Sequence, residues 1–213
     1  MLLAEKAGWL PASRTLLIAD AHFGKAVSFR SRGVPVPRGT TTETLDLLAK
    51  LTARHGADRI VFLGDFLHSS RSHAPATLAA IARWRSAHSR LQLTLVRGNH
   101  DDRAGDPPAS LGIEVVDEPL RLGGLALCHH PRPHIGAYVL AGHLHPCVSL
   151  GSRSFGRLRL PCFHFTDAVG VLPAFGSFTG MHPVVPRPGD RIYAVADEKV
   201  VALPVMAADR VAE

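Results

Sequence analysis

No apolar run in the 213 residues comes near the ~20 that a membrane helix needs, because charges, prolines or glycines interrupt every hydrophobic stretch. A bilayer-spanning helix is excluded. Cysteine is scarce: Cys128, Cys147 and Cys162 are an odd count at irregular spacing, which fits buried, reduced thiols better than a disulfide framework. Low-complexity tracts, internal repeats and linkers are absent as well, so one domain over residues 1–203 with a frayed tail at 204–213 is the expectation. The N-terminus places Glu5 and Lys6 where a secretory signal would need its apolar core, which predicts a cytoplasmic address. Lysine is rare too. Arginine supplies 20 of the 24 basic residues, and the net charge of +6 suits an anionic partner such as DNA, although a compositional bias would produce the same excess.

Enough apolar residues are present, 46%, to build one core. In the first half, short apolar runs alternate with helical patterns, the signature of an α/β sheet. Residues 15–19, 59–63 and 91–96 read as strands. Thr40 with Glu43 reads as a capping box opening a helix that closes at Gly56, and Pro75 suits the first turn of a second helix. The second half reads as short strands at 113–116, 125–128, 138–141, 157–160 and 192–195, with little helix.

Histidine is abundant, 13 residues, and many stand beside Asp, Asn or Gly. Five segments place ligand-type side chains where a strand runs out: Asp20-x-His22, Gly64-Asp65, Gly98-Asn99-His100-Asp101, His129, and Gly142-His143-x-His145. Carboxyl ends of strands line the ligand crevice of an open α/β sheet, so these segments converge in space. The x spacing returns both partners to one side of an extended segment. Gly64, Gly98 and Gly142 each precede a ligand and permit close backbone approach. A lone histidine is more often a surface or satisfied core residue, and Gly-Asn is an ordinary turn pair. Five such strand ends in one chain point instead to a binuclear site of oxygen and nitrogen ligands. Manganese suits that mixture best, with iron and zinc also compatible. A separate zinc site at His143-x-His145-x-Cys147 is the weaker reading, because Cys147 lacks a second thiol.

These segments, in this order, resemble the calcineurin-like metallophosphoesterase superfamily. The resemblance implies an α/β/β/α sandwich of two mixed sheets flanked by helices. It implies that Asp20, His22, Asp65 and His145 hold one divalent ion while Asp65, Asn99, His129 and His143 surround another, with Asp65 bridging. His129 is chosen over His130 because the family's histidine directly follows an apolar strand. Residues 17–25 (LIADAHFGK), 29–39 (FRSRGVPVPRG), 96–102 (VRGNHDD), 142–146 (GHLHP) and 160–164 (LPCFH) look closer still to one branch, the bacterial ligase-associated DNA damage response endonucleases (PdeM). That likeness implies DNA repair alongside an ATP-dependent DNA ligase, a helicase and a nuclease.

Asparagine at position 99 keeps the site cationic: about +4 from two ions, less two carboxylates and a hydroxide, leaves roughly +1 for an anionic phosphate. His100 is the candidate to protonate the departing oxygen, with Asp101 orienting it. His68 is a candidate substrate contact, on a likeness to the nuclease subunit of double-strand-break repair complexes. Arg97, nearer the ligands, and Arg32 and Arg38, in a loop at the same end of the sheet, are candidate phosphate contacts, against the competing reading of that loop as a solvated surface. Two other functions stay open: cleavage of cyclic or other small nucleotides, and a non-catalytic DNA-binding scaffold with structural metals.

Overall fold

The computed structural model describes residues 1–31, 33–36, 39–152 and 156–204. Strands β1 to β6 (Leu2–Leu3, Ala7–Leu10, Thr15–Ile18, Arg59–Leu63, Gln92–Val96, Ile113–Val116) form one sheet in that order. Its first three strands are antiparallel and β3 to β6 are parallel. Strands β7 to β15 (Leu120–Leu122, Leu125–Leu127, Tyr138–Ala141, Pro146–Ser152, Gly156–Phe165, Val169–Val171, His182–Pro183, Arg191–Ala196, Lys199–Leu203) make a second mixed sheet. Helices α1 (Lys25–Arg30), α2 (Thr40–His55), α3 (Pro75–Ala87) and α4 (Asn99–Ala104) all precede Gly105.

Residues on β3, β4 and β5 are apolar almost without a break because both faces of the first sheet are covered. One face, with Leu16, Ile18, Ile60 and Phe62, packs on Leu45, Leu48 and Leu51 of α2 and on Ile81 and Trp84 of α3. The other, with Leu17, Ala19, Val61 and Leu63, packs on Leu127, Phe163 and Leu172 of the second sheet region. Two mixed sheets flanked by helices are the architecture the family resemblance implied. The cysteines are free and buried.

Helix α2 starts differently from the sequence expectation. Gly39, in the left-handed region at φ 96°, is the residue before the first turn, and no side chain caps the helix, so Thr40 is already inside it. The predicted stop holds: Gly56 takes φ 59°, a conformation glycine adopts without steric cost. Pro75 is the first residue of α3. Arg32, Arg38, and the tail from residue 205 lie outside the described residues.

Candidate metal centre

Parallel strands deliver the chemistry to one end of the sandwich. Asp20 and His22 follow β3, Asp65 follows β4, and Asn99 and His100 follow β5. From the second sheet, His129 and His143 follow the parallel neighbours β8 and β9. The segments stay bonded beyond the strands: the His22 amide donates to the Asp65 carbonyl at 2.9 Å, and the Gly142 amide to the His129 carbonyl at 3.2 Å. Asp20, His22, Asp65, His143 and His145 all have φ between 47° and 71°. Each costs roughly 1–2 kcal/mol as a non-glycine residue, and such strain collects where a site dictates the backbone.

The glycines explain how the segments come so close. A Cβ on Gly64 would lie 2.1 Å from His129 Nδ1, one on Gly98 2.5 Å from Asp65 Oδ1, and one on Gly142 2.6 Å from Asp20 Oδ2. Each glycine therefore makes room for a ligand candidate from another segment.

Asp20 and Asp65 are buried, with side chains 0% and 3% exposed, and buried carboxylates need a compensating cation. His22 and His143 do not supply one. Burial holds the His22 proton affinity far below its ordinary value, helped by Lys25 and the neighbouring histidines, and burial followed by His129 and His130 lowers that of His143. Neutral imidazole is the ligand form. His129 donates Nδ1–H to the Leu63 carbonyl at 3.0 Å and turns Nε2 toward Asn99 Oδ1 at 2.9 Å and Asp65 Oδ1 at 3.5 Å. His143 Nδ1 stands 3.0 Å from the same Nε2. His145 donates Nδ1–H to the Gly180 carbonyl at 3.0 Å, so its buried Nε2 faces Asp20 Oδ1 at 3.5 Å with no hydrogen-bond partner among the described residues. Ring nitrogens and buried carboxylate and amide oxygens thus converge on one space. These donors fit divalent ions: Asp20, His22 and His145 form one potential ligand group, and Asp20, Asp65 and His129 another.

The family model for calcineurin-like phosphoesterases matches residues 13–122, about half of the chain. The chain belongs to the calcineurin-like phosphoesterase family. It is a metal-dependent phosphoesterase, whose family uses a pair of divalent ions. It is 49% identical to the nuclease MPE of Pseudomonas putida, with a TM-score of 0.84 over 95% of this chain and 94% of that one. Similarity also extends to YfcE, a phosphoesterase from E. coli, at 16% identity and TM-score 0.42 over 88% and 96% of the two chains. A protein of unknown function, AQ665 from Aquifex aeolicus, is 20% identical with TM-score 0.44 over 66% and 81%. No curated protein matches.

Around this phosphoesterase centre, His100 stands one third exposed, with Nδ1 2.7 Å from the His68 carbonyl and Nε2 4.0 Å from Asp65 Oδ2. His68 stacks on His100 with ring centroids 5.0 Å apart and sets Nδ1 3.4 Å from His22 Nδ1. Two candidates have partners other than those expected. Asp101 does not orient His100: its buried carboxylate accepts the amides of Phe66, Leu67 and Gly98 at 3.0–3.2 Å, pinning the loop after Asp65 to the start of α4. Burial pushes its carboxyl up to about 6. Arg97 forks onto Asp106 at 2.9–3.0 Å and pairs with Asp117.

Two supporting residues were not foreseeable from the sequence. Glu118 accepts the amides of His129 and His130 at 2.9 Å and meets His130 Nδ1 at 2.8 Å, fixing the segment that presents His129. Hydrogen bonds from His130 and His129 hold its carboxyl below the usual range despite partial burial. Lys25 lies close enough for Asp20 and Asp65 to oppose the lowering of its proton affinity by burial. The spacing of Glu118 from His129 carries no signal. Lys25 follows the Asp20-x-His22 segment closely, but a lysine opening a helix is commonplace.

Proposed function

We propose that this chain hydrolyses phosphodiester bonds in DNA at a pair of divalent ions, as an endonuclease or end-processing nuclease of ligase-associated DNA repair, working beside a DNA ligase, a helicase and a nuclease. The single observation that carries the reading is the convergence of ring nitrogens of His22, His129 and His145 on the buried carboxylates of Asp20 and Asp65. The 49% identity to a Pseudomonas putida nuclease and the net charge of +6 support DNA as the substrate.

Asp20, His22 and His145 would hold one ion, Asn99, His129 and His143 the other, with Asp65 shared; manganese suits the donors best. Such a pair, when bound, polarises a phosphoryl group and lowers the pKa of an attacking water. The protein's own groups do the rest. His68 fixes His100 through its carbonyl, so a protonated His100 presents Nε2–H on the side of Asp65, where it can protonate the departing oxygen. His68 itself stacks on His100 along the same wall. Asp101 and Glu118 hold the two loops that carry Asp65 and His129 at fixed separation.

The test is turnover of a chromogenic phosphodiester with added Mn²⁺, followed by a panel of single-stranded, duplex and nicked DNA with metal content measured. Diester hydrolysis lost in Asp65→Ala together with DNA cleavage is the expected result. No turnover by metal-loaded protein would reverse the enzyme reading, and turnover of small diesters without DNA cleavage would replace the substrate.

A further inference from the structure

The loop at residues 176–180 carries a feature that phosphoester hydrolysis does not use. Phe178 is 54% exposed yet takes a left-handed backbone, φ 58°. An aromatic residue gains nothing from water there, and the conformation is unfavourable for any side chain with a Cβ.

The loop is not free to relax. At one end the Gly176 amide donates to the Asp20 carbonyl at 3.2 Å, and a Cβ on Gly176 would fall 2.3 Å from the Ala21 carbonyl oxygen. At the other end the Gly180 carbonyl accepts Nδ1–H of His145 at 3.0 Å. Thr179 closes the turn with a bond to the Gly176 carbonyl at 3.1 Å. Both anchors, Asp20 and His145, are metal-ligand candidates, so the ring is held in register with the centre. Phe178 lines two hollows. One contains His22, Lys25 and Thr41. The other is a groove of about 300 Å³ running from His145 past Pro146, Pro161, Thr179 and Met181, with Lys6 at its side.

We propose that Phe178 is a stacking platform for an unpaired nucleobase next to the scissile phosphate, and that the groove beside His145 receives that nucleotide. This rests on the DNA reading above and adds a recognition element to it. An exposed aromatic face accepts any base, because every base has a π-face. The mixed lining, apolar at Phe178, Pro146, Pro161 and Met181 and polar at His145, Ser177 and Thr179, suits a nucleotide better than an apolar peptide. Nucleotides that remain paired cannot present a free face to the ring, so the groove favours single-stranded or locally opened DNA.

The experiment crosses protein with substrate, using the full chain loaded with manganese. Wild type, Phe178→Ala, Phe178→Trp and Phe178→Leu are assayed on a single-stranded oligonucleotide and on the same strand with abasic sugars at the positions flanking the cut. On the normal strand, Phe178→Ala is expected to raise KM roughly 5- to 150-fold, the range of one base–aromatic stack, with tryptophan restoring it and leucine failing to. On the abasic strand the penalty of the alanine variant should vanish. An equal penalty on both strands, full restoration by leucine, or no penalty on the normal strand would each overturn the proposal. Melting temperatures of the variants check the fold. Should wild-type protein hydrolyse small diesters but leave DNA intact, the substrate reading fails; DNA cleavage indifferent to Phe178 rejects only the platform.

Discussion

Gly98→Ala perturbs the centre without replacing a ligand candidate. Gly98 sits at φ −109°, which alanine adopts freely, so the consequence is purely steric. The new Cβ would meet Asp65 Oδ1 at 2.5 Å and the Asp65 backbone nitrogen at 2.6 Å, almost an ångström short of ordinary contact at 3.4 Å. The carboxylate cannot swing aside cheaply, because the His100 amide donates to the same oxygen at 2.9 Å. Backbone must move, and overpacking of this kind costs roughly 1–3 kcal/mol. A displacement near 1 Å of a positioned group costs about 10²-fold in rate. Gly98→Ala should therefore lower the urea midpoint modestly, weaken binding of at least one manganese ion in calorimetry, and cut kcat on a chromogenic diester about a hundredfold. Gly124→Ala is the control, since Gly124 has no atom within 4 Å of an added Cβ and no positive φ. Metal affinity and kcat at wild-type level in Gly98→Ala, with the variant folded, would refute the claim that the missing Cβ gives Asp65 its place.

His100→Ala should keep its metal while kcat falls roughly 10²- to 10⁴-fold, most steeply for diesters with poor leaving groups; an equal fall across leaving groups would contradict the acid role. Arg97→Ala should cost up to about 1 kcal/mol in denaturant unfolding, as expected for an exposed ion-pair cluster, and should leave the KM for DNA at the wild-type value. A raised KM would restore Arg97 as a substrate contact. Burial lowers Lys6 to about 8 from an ordinary 10.5, so the folded protein binds fewer protons than the unfolded chain between those values. The penalty is full below pH 8 and disappears as pH rises to 10.5, a gain of roughly 3 kcal/mol at most. Lys6→Met should flatten that rise, measured as the difference in unfolding free energy between pH 7 and pH 9.5; a slope identical to wild type would exclude Lys6 as its source.

What was legible in the sequence follows from where each residue's partners lie. The strands before Asp20, Asp65 and Asn99 could be read because both their faces are buried, which leaves unbroken apolar runs ending abruptly at polar residues. The three glycines were legible from their positions: a residue without Cβ directly before a ligand leaves the space that a neighbouring segment needs for close approach. The N-terminal hairpin of β1 and β2 was missed because Leu2–Leu3 and Ala7–Leu10 are too short for a period to show, and the turn between them rests on Lys6 at φ 65°, where glycine or asparagine is the usual signal.

The supporting residues expose a deeper asymmetry. A metal ligand can be recognised from its own chemistry and its position after a strand. The role of Asp101, Glu118 or Arg97 depends on which groups arrive from elsewhere. Asp101 lies beside His100 in sequence, and its carboxylate instead serves amides 34 and 35 residues away because α4 turns it inward. Arg97 adjoins the ligand loop and is drawn outward by Asp106 and Asp117, acids whose nearness only the folded chain creates. Adjacency in sequence therefore did not give Asp101 or Arg97 its partners. The same logic bears on Phe178, which no spacing marked: its interest arises only because Asp20 and His145, at opposite ends of the chain order, hold the two ends of its loop.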